Sequence, residues 1–165
     1  IVSDTIIIDN SSMDYEQAVS ADTAYIMNKM LQNVVNPNQP DNEPGTGVTA
    51  FLPNKTVAGK TGTTQNWRDI AFVGLTEDFV SGIWIGYANG ENPYAIKNTK
   101  AATVWKNVFG NFANNYKSDA SYPECATVKD HHYCTQTGLL ASPDCPRSKE
   151  PGYYKKDYNE YCTAH

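Results

Sequence analysis

The residues best suited to do chemistry lie in one short run, VAGKTGTT, at positions 57–64. In an extended strand, side chains alternate between faces, so Thr61 and Thr63 would point one way and Lys60 and Gly62 the other. Two hydroxyls on one face can bind a carboxylate, and the Lys60 cation can bind an anion or lower the pKa of a neighbour. The backbone N–H of Thr63 can stabilise an oxyanion, and Gly62 lets the backbone approach another element. The run therefore predicts one wall of an acyl-transfer site.

The letters G-K-T also end the phosphate-binding loop of nucleotide-binding proteins. That loop needs a glycine five positions before Gly59, where this chain has Asn54. It also needs a helix directly after the lysine, so that backbone N–H groups face the phosphate. Gly62, Thr63 and Thr64 follow instead, and these residues have poor helix propensity. The nucleotide-binding alternative fails on both requirements.

Two segments have the hydrophobic spacing of amphipathic helices. The first covers residues 20–35 and has Ser20 as its expected N-cap. Its apolar stripe consists of Ala24, Met27, Met30, Leu31 and Val34. The second helix covers residues 99–116, and its expected buried face consists of Ala101, Trp105, Val108, Phe109 and Phe112. We expect both stripes to belong to the core.

Three strand-like segments lie between these helices, after a loop at 36–47 that contains three Pro and two Gly. The strands are predicted at 55–64, 70–76 and 79–89, and a further strand or connector at 2–9. Because the links are too short for a crossover helix, the sheet should be antiparallel. The fold class is therefore α+β, an antiparallel sheet flanked by helices.

Composition and charge narrow the function class. The chain has 165 residues, 40% of them hydrophobic, which suits one ordinary folded domain. Its net charge of −5 argues against a nucleic-acid partner, since phosphate binding needs clustered Lys and Arg. No apolar run reaches the length of a membrane span. The chain opens on Ile1 without an initiator Met, so we interpret it as a piece of a longer protein. No cofactor is predicted.

All four cysteines fall in the last quarter of the chain, in a stretch rich in Asn, Pro, Tyr and Gly. They do not form a C-x-x-C pair, which disfavours structural zinc, although His131 and His132 near Cys134 keep a metal site open. A loop-rich segment with little aliphatic core is typically held by disulfides in an oxidising compartment. The favoured pairing, out of three possible ones, is Cys134–Cys145 with Cys125–Cys162.

The remaining polar candidates are assigned structural or solvent-exposed positions. Arg68 and Asp69 are expected to pair and hold the turn after the motif. Glu77 and Asp78 lie in the predicted hairpin turn and should be solvated. His165 is the last residue, and we expect it to be disordered.

The run AGKTGTTQNWRDIAFVGLTEDFVSGIWIGYANG, residues 58–90, closely resembles the C-terminal half of the transpeptidase domain of class A penicillin-binding proteins. The preceding helix and its G-T-G loop, and the WKNVF helix that follows, are similar to the same family. The segment CTQTGLLASPDCP…EYC resembles the cysteine-bearing tails of Gram-positive members. One departure is Ala71, where many relatives carry Trp. The resemblance implies a partial serine transpeptidase/β-lactamase-like domain at 1–116 and a Cys-containing, loop-rich, disulfide-stapled extension at 117–165.

The resemblance also implies an activity, namely cross-linking of peptidoglycan stem peptides that end in D-Ala-D-Ala, through a serine acyl-enzyme that β-lactams also form. Lys60 and Thr63 would be catalytic, with Lys60 near the Ser of an S-x-N motif and the Thr63 N–H as an oxyanion donor. The substrate-binding residues would be Thr61, Gly62, Thr63 and Thr64. The partners would be the stem peptide, β-lactams and the remainder of the domain. The location would be the extracellular face of the cytoplasmic membrane, in the cell-wall space of a Gram-positive-type bacterium. The membrane anchor of the parent protein would lie outside this chain.

The complete signature of this superfamily is S-x-x-K, S-D-N and K-T-G. None of the nine serines has Lys three places on or Asn two places on. We therefore expect the chain to be inactive by itself. Two alternatives remain: a fragment of a serine β-lactamase, which would share K-T-G, and a non-catalytic module that docks the wall or a partner protein.

Overall fold

A three-stranded antiparallel sheet occupies the middle of the chain, and a separate two-stranded sheet follows it. The computed structural model describes residues 16–39, 44–87, 99–116 and 121–165. The helices and strands of this part are α1 (Ala21–Val35), β1 (Ala58–Thr63), β2 (Asp69–Leu75), β3 (Val80–Gly86), α2 (Ala101–Asn115), β4 (Val128–Cys134) and β5 (Ser148–Lys155). Neither α1 nor α2 is long and apolar enough to cross a membrane. The strand or connector predicted at 2–9 lies outside the described residues.

The first sheet has the order β1–β2–β3, with both pairings antiparallel, so β1 is an edge strand among the described residues. All three strands confirm segments predicted from the sequence, within a few residues at each end. Thr61 pairs with Phe72, and their side chains share one face of the sheet. Lys60 pairs with Val73 on the opposite face. The alternation expected for the motif is therefore present.

The main core lies where α2 packs on β2 and β3. Trp105 of α2 is fully buried and meets the ring of Phe72 edge to face, with 5.5 Å between the ring centroids. The indole N–H of Trp105 donates a hydrogen bond to the Ser81 hydroxyl at 2.8 Å. Gly74 lies beneath the indole, because a Cβ there would come within 2.5 Å of it. The predicted burial of Ala101 and Trp105 is confirmed.

Other parts of the predicted helical stripes are exposed. Val108 and Phe112 of α2 are more than half exposed, although Phe112 still packs its ring against Phe79. In α1 only Val35 is buried, and Met27 and Met30 are each 52% exposed. The expectation of a buried stripe on α1 is wrong for this structure. The described part of the chain supplies no layer that covers these methionines.

The start of α1 also differs from the prediction. Ser20 occupies the N-cap position, but its side chain makes no capping bond to the helix backbone. Its hydroxyl contacts the side chains of Asp22 and Thr23 instead. The backbone N–H of Thr23 then donates to the Asp22 carboxylate at 2.9 Å. Asp22, an acidic residue in the first turn, therefore caps the helix in place of Ser20.

The β2–β3 turn is not solvated as the sequence suggested. Asp78 accepts a charged hydrogen bond from Lys55 at 3.0 Å, and the two side chains are only 5% and 15% exposed. One carboxylate oxygen of Glu77 is buried without a hydrogen-bond partner. The turn is therefore packed against the loop that carries Lys55, a long-range contact that local composition does not reveal.

Breaking this ion pair should destabilise the fold. Asp78→Asn leaves the Lys55 ammonium buried opposite a neutral group, and the loss of a charged hydrogen bond costs about 2 kcal/mol. The free energy of unfolding from urea titration would measure the effect. Asp157→Asn, which removes an exposed carboxylate, is the matched control and should stay within about 0.5 kcal/mol of wild type. Equal values for the two variants would contradict the structural role of the pair.

The C-terminal segment is more regular than predicted, because β4 and β5 form an antiparallel pair. This pair packs on α1. Lys155 makes a 3.0 Å ion pair with Asp22, and the side chains of Asn33 and Tyr153 lie within hydrogen-bond distance at 3.2 Å. Tyr153 and Lys155 are two positions apart on β5, so their side chains lie on the same face of the strand for this contact. The segment is thus a small docked sheet with connecting turns.

The cysteines of this segment are free thiols. Cys134 and Cys145 lie close together but without the predicted disulfide, and Cys162 lies with them and not with Cys125. The backbone explains the difference, since Leu140 and Tyr161 form a parallel bridge that brings Cys162 beside the β4 end. His165, expected to be disordered, is placed against the same sulfur atoms. The predicted Cys125–Cys162 pairing is therefore contradicted by the structure.

The Asp22–Lys155 pair should make the docking of this segment sensitive to acid. Hydrogen bonds from Ser20 and then Lys155 lower the pKa of Asp22 from 3.8 to about 2. A lowered folded-state pKa adds stability that is present above about pH 4 and is lost as the pH falls through about 2. Asp22→Asn should therefore flatten the decline of melting temperature across this window. Glu16→Gln, at an exposed carboxylate before α1, should retain the wild-type profile, and an equally flattened profile there would refute the assignment.

Candidate active site

The strand β1 presents its polar end to solvent. Ala58 and Gly59 are buried, whereas Lys60, Gly62 and Thr63 are exposed and Thr61 is half-buried. The N–H of Thr64 donates to the carbonyl of Asp69 at 3.0 Å. Because hydrogen-bonded positions alternate along an antiparallel pair, the N–H groups of Thr61 and Thr63 point away from β2, toward the open edge. The edge thus offers free backbone donors next to two hydroxyls.

A loop residue that the sequence analysis did not assign joins this edge. The hydroxyls of Thr46 and Thr61 lie 2.9 Å apart, across 15 positions of sequence. The loop is fixed to the end of α1, because the N–H of Gly47 donates to the carbonyl of Val34 at 3.0 Å. Gly45 has no room for a side chain, since a Cβ would lie 2.2 Å from that same carbonyl oxygen. The G-T-G sequence was the signal that could have identified Thr46, because the flanking Gly45 and Gly47 pack closely against the end of α1 and fix the position of the threonine between them.

The Lys60 side chain extends from the opposite face of the strand. Its Nζ donates a hydrogen bond to the carbonyl of Thr61 at 2.9 Å. A cleft of about 430 Å³ opens beside it, and its walls include Met30 of α1, Thr46 of the loop and Tyr133 of β4. An anion that entered this cleft would meet the ammonium on one side and the threonine hydroxyl on another. The arrangement can bind a carboxylate, but the described residues that line the cleft include neither a serine nor a cysteine.

The turn that follows the motif uses Thr64 for its own structure. The N–H of Asp69 donates to the Thr64 hydroxyl at 2.8 Å, and that hydroxyl lies 3.2 Å from an Asp69 carboxylate oxygen. Asn66 and Trp67 have φ values of 60° and 52°, a left-handed bend that the Thr64–Asp69 contacts close. The Thr64 hydroxyl therefore has a structural partner in the turn, and its substrate role stays a prediction. Asp69 pairs with Thr64 here, where a pair with Arg68 was expected.

The structure thus brings together four of the predicted site residues, Lys60, Gly62, Thr61 and Thr63, along one exposed edge. A family model described as the penicillin-binding protein transpeptidase domain matches residues 2–109. The chain belongs to this family. The resemblance to class A penicillin-binding proteins, stated from the motif context, is confirmed.

Relatives of the penicillin-binding protein family align with most of the chain. Penicillin-binding protein 1A of Clostridium perfringens is 30% identical over 97% of this chain, and that of Pseudomonas aeruginosa is 33% identical over 79%. The chain spans only 19% and 15% of their lengths. A crystal structure of penicillin-binding protein 1A from Haemophilus influenzae matches with a TM-score of 0.63 at 20% identity, over 85% of this chain and 21% of that one. That likeness supports the α+β fold, a partial domain with antiparallel sheets.

Proposed function

We propose that this chain is the C-terminal part of a D,D-transpeptidase domain that cross-links peptidoglycan stem peptides through a serine acyl-enzyme. The observation that carries the proposal is the exposed K-T-G-T run at a sheet edge, in a chain matched by the transpeptidase family. Its site acts on the extracellular side of the cytoplasmic membrane. We call the longer protein that supplies the rest of the domain the parent.

The residues of the edge divide the work. The stem peptide adds as a strand to β1, and Thr61 and Thr63 bind its terminal carboxylate through their hydroxyls. The outward N–H of Thr63 is one oxyanion donor in the acyl-transfer step. The ammonium group of Lys60 lies near the serine of the second motif and assists proton transfer. Thr46, in contact with Thr61, orients that hydroxyl toward the substrate. A β-lactam, as a mimic of D-Ala-D-Ala, occupies the same groove.

The remainder of the parent domain covers the exposed side of α1. Met27 and Met30 are each 52% exposed and lie on one face of the helix. Burial of these two side chains against an apolar layer would stabilise the assembled domain. The segment 1–116 is the part of the domain that includes this helix and the sheet, and 117–165 is its extension. The nucleophile and its lysine are supplied by the parent, since the chain has neither S-x-x-K nor S-x-N.

A fluorescent penicillin tests the proposal. The isolated chain should remain unlabelled, because it contains no serine in a nucleophile motif, and the parent should be labelled covalently. Labelling of the isolated chain would overturn its assignment as inactive. A folded parent with both upstream motifs that takes up no label would overturn the transpeptidase assignment.

The rate of deacylation separates this function from the β-lactamase alternative. A transpeptidase holds its β-lactam acyl group for a long time, whereas a β-lactamase hydrolyses it quickly and turns over. The parent should therefore release label slowly after free penicillin is removed. Fast turnover with the same labelled serine would assign the chain to a β-lactamase.

A further inference from the structure

Four potential metal ligands converge at the C-terminal end of the chain. They are the sulfur atoms of Cys134, Cys145 and Cys162 and one ring nitrogen of His165, and all four atoms lie within 4.8 Å of one another. The His165 Nε2 atom is 3.1 Å from the Cys145 sulfur, 3.6 Å from that of Cys162 and 3.7 Å from that of Cys134. Neighbouring ligands of a tetrahedral zinc ion, at Zn–S of about 2.3 Å and Zn–N of about 2.0 Å, are separated by roughly 3.5–3.8 Å. The 3.6 Å and 3.7 Å separations fall in this range, and the 3.1 Å separation is shorter, so a small shift of the His165 ring places all four atoms around one ion.

Separate backbone elements hold the ligands in place. Cys134 ends β4, and its N–H donates to the carbonyl of Leu139 at 2.8 Å, which closes a tight turn. Cys145 lies in a second turn, where the N–H of Ser148 donates to its carbonyl. The N–H of Cys162 donates to the carbonyl of Leu140 at 2.8 Å. Three connections, distant in sequence, thus aim their sulfur atoms at one point.

The sulfur atoms are shielded from water. Cys134, Cys145 and Cys162 are 0%, 6% and 4% exposed, and Leu140, whose carbonyl accepts the Cys162 N–H, is fully buried. A structural zinc site with four protein ligands has no coordination position open to water, so this burial suits a bound ion.

We propose that Cys134, Cys145, Cys162 and His165 bind one structural Zn²⁺ ion. Three thiolates and one neutral imidazole are a tetrahedral set that zinc prefers among divalent metals. Four protein ligands leave no open coordination position, so the ion is structural and not catalytic. Binding releases the three thiol protons, and no oxidation takes place.

A disulfide explains the cluster less well. Pairing any two of the three buried sulfurs leaves the third unpaired beside an imidazole. The fourth cysteine cannot join, because Cys125 is outside the cluster with its sulfur 3.2 Å from the Thr127 hydroxyl. The described part of this segment has few buried hydrophobic residues, which is little apolar surface to hold two strands: Val128, Cys134, Leu140, Ala141, Cys145 and Cys162. A zinc ion at their centre supplies the missing cohesion, because its binding energy is folding energy.

Metal content of the full 165-residue chain tests the proposal. The chain is purified under reducing conditions without chelators, and the molar ratio of zinc to protein is measured by inductively coupled plasma mass spectrometry. We expect about one equivalent per chain, and Cys162→Ser should lose it. Cys125→Ser is the matched control and should keep the full equivalent. His165→Ala should weaken zinc binding roughly tenfold or more, since even outer-shell changes cost 10- to 100-fold.

Cobalt substitution keeps the test decisive if Cys162→Ser does not fold. A Co²⁺-loaded wild-type chain should show a thiolate charge-transfer band and the visible bands of tetrahedral cobalt, and His165→Ala, at an exposed terminal residue, should alter them. A wild-type chain without bound zinc, or one with a Cys134–Cys145 disulfide after purification in reductant, would overturn the site. Full zinc retention in both Cys162→Ser and His165→Ala would overturn it equally.

Discussion

Replacing Thr63 with proline in the parent is expected to slow acylation by penicillin about 10²- to 10³-fold, or about 2.7–4 kcal/mol of barrier, the usual cost of losing one oxyanion donor. The variant is informative because of the strand register. The N–H of Thr63 points to the open edge, so proline removes a donor that the β1–β2 pairing does not use. Edge strands tolerate proline at such positions.

Two variants separate the amide of Thr63 from its other features. Thr63→Val keeps the N–H and the strand propensity but removes the hydroxyl, so it should lower affinity for a substrate carboxylate more than it lowers the acylation rate. Val73→Ala changes a side chain on the opposite face of β2 and should leave acylation unchanged. The rate constants come from time courses with fluorescent penicillin, and unfolding curves establish that each parent variant is folded. An unchanged rate in Thr63→Pro would exclude the amide as an oxyanion donor.

Local patterns predicted the elements that carry the site. The segment predicted as a strand at 55–64 contains β1, because its Gly and Thr residues disfavour a helix and the short links favour antiparallel pairing. The burial of Trp105 also followed from helical spacing. These features depend on residues a few positions apart, for which periodicity is a direct signal.

Periodicity could not reveal what covers a helix face. The stripe on α1 has the spacing of a core helix, yet Met27 and Met30 are half exposed, because burial depends on a partner layer that the described chain does not contain. Long-range convergence was equally hidden. Thr46 reaches Thr61 across 15 positions, and His165 reaches Cys134 across 31. Composition favoured disulfides for the cysteines, but it could not place three sulfurs and an imidazole at one point.

Replacing Trp105 with alanine is expected to lower the free energy of unfolding of the chain by about 3–5 kcal/mol. The side chain is fully buried, meets Phe72 edge to face and donates a hydrogen bond to Ser81, so the variant loses apolar burial, an aromatic contact and a partner for that hydroxyl together. A domain typically has only 5–15 kcal/mol to lose, so the change should be large in urea titration.

Trp84 provides the matched control for this variant, because it lies on β3 of the same sheet but is 61% exposed. Trp84→Ala should cost less than about 1 kcal/mol, since most of its surface stays in water in the folded chain. Trp105→Phe should fall between the two, because it keeps a ring against Phe72 but gives up the indole N–H. If Trp84→Ala and Trp105→Ala destabilise equally, α2 does not pack on the sheet as described. In that case the edge presented by β1 would lose the layer that holds β2 in register beside it.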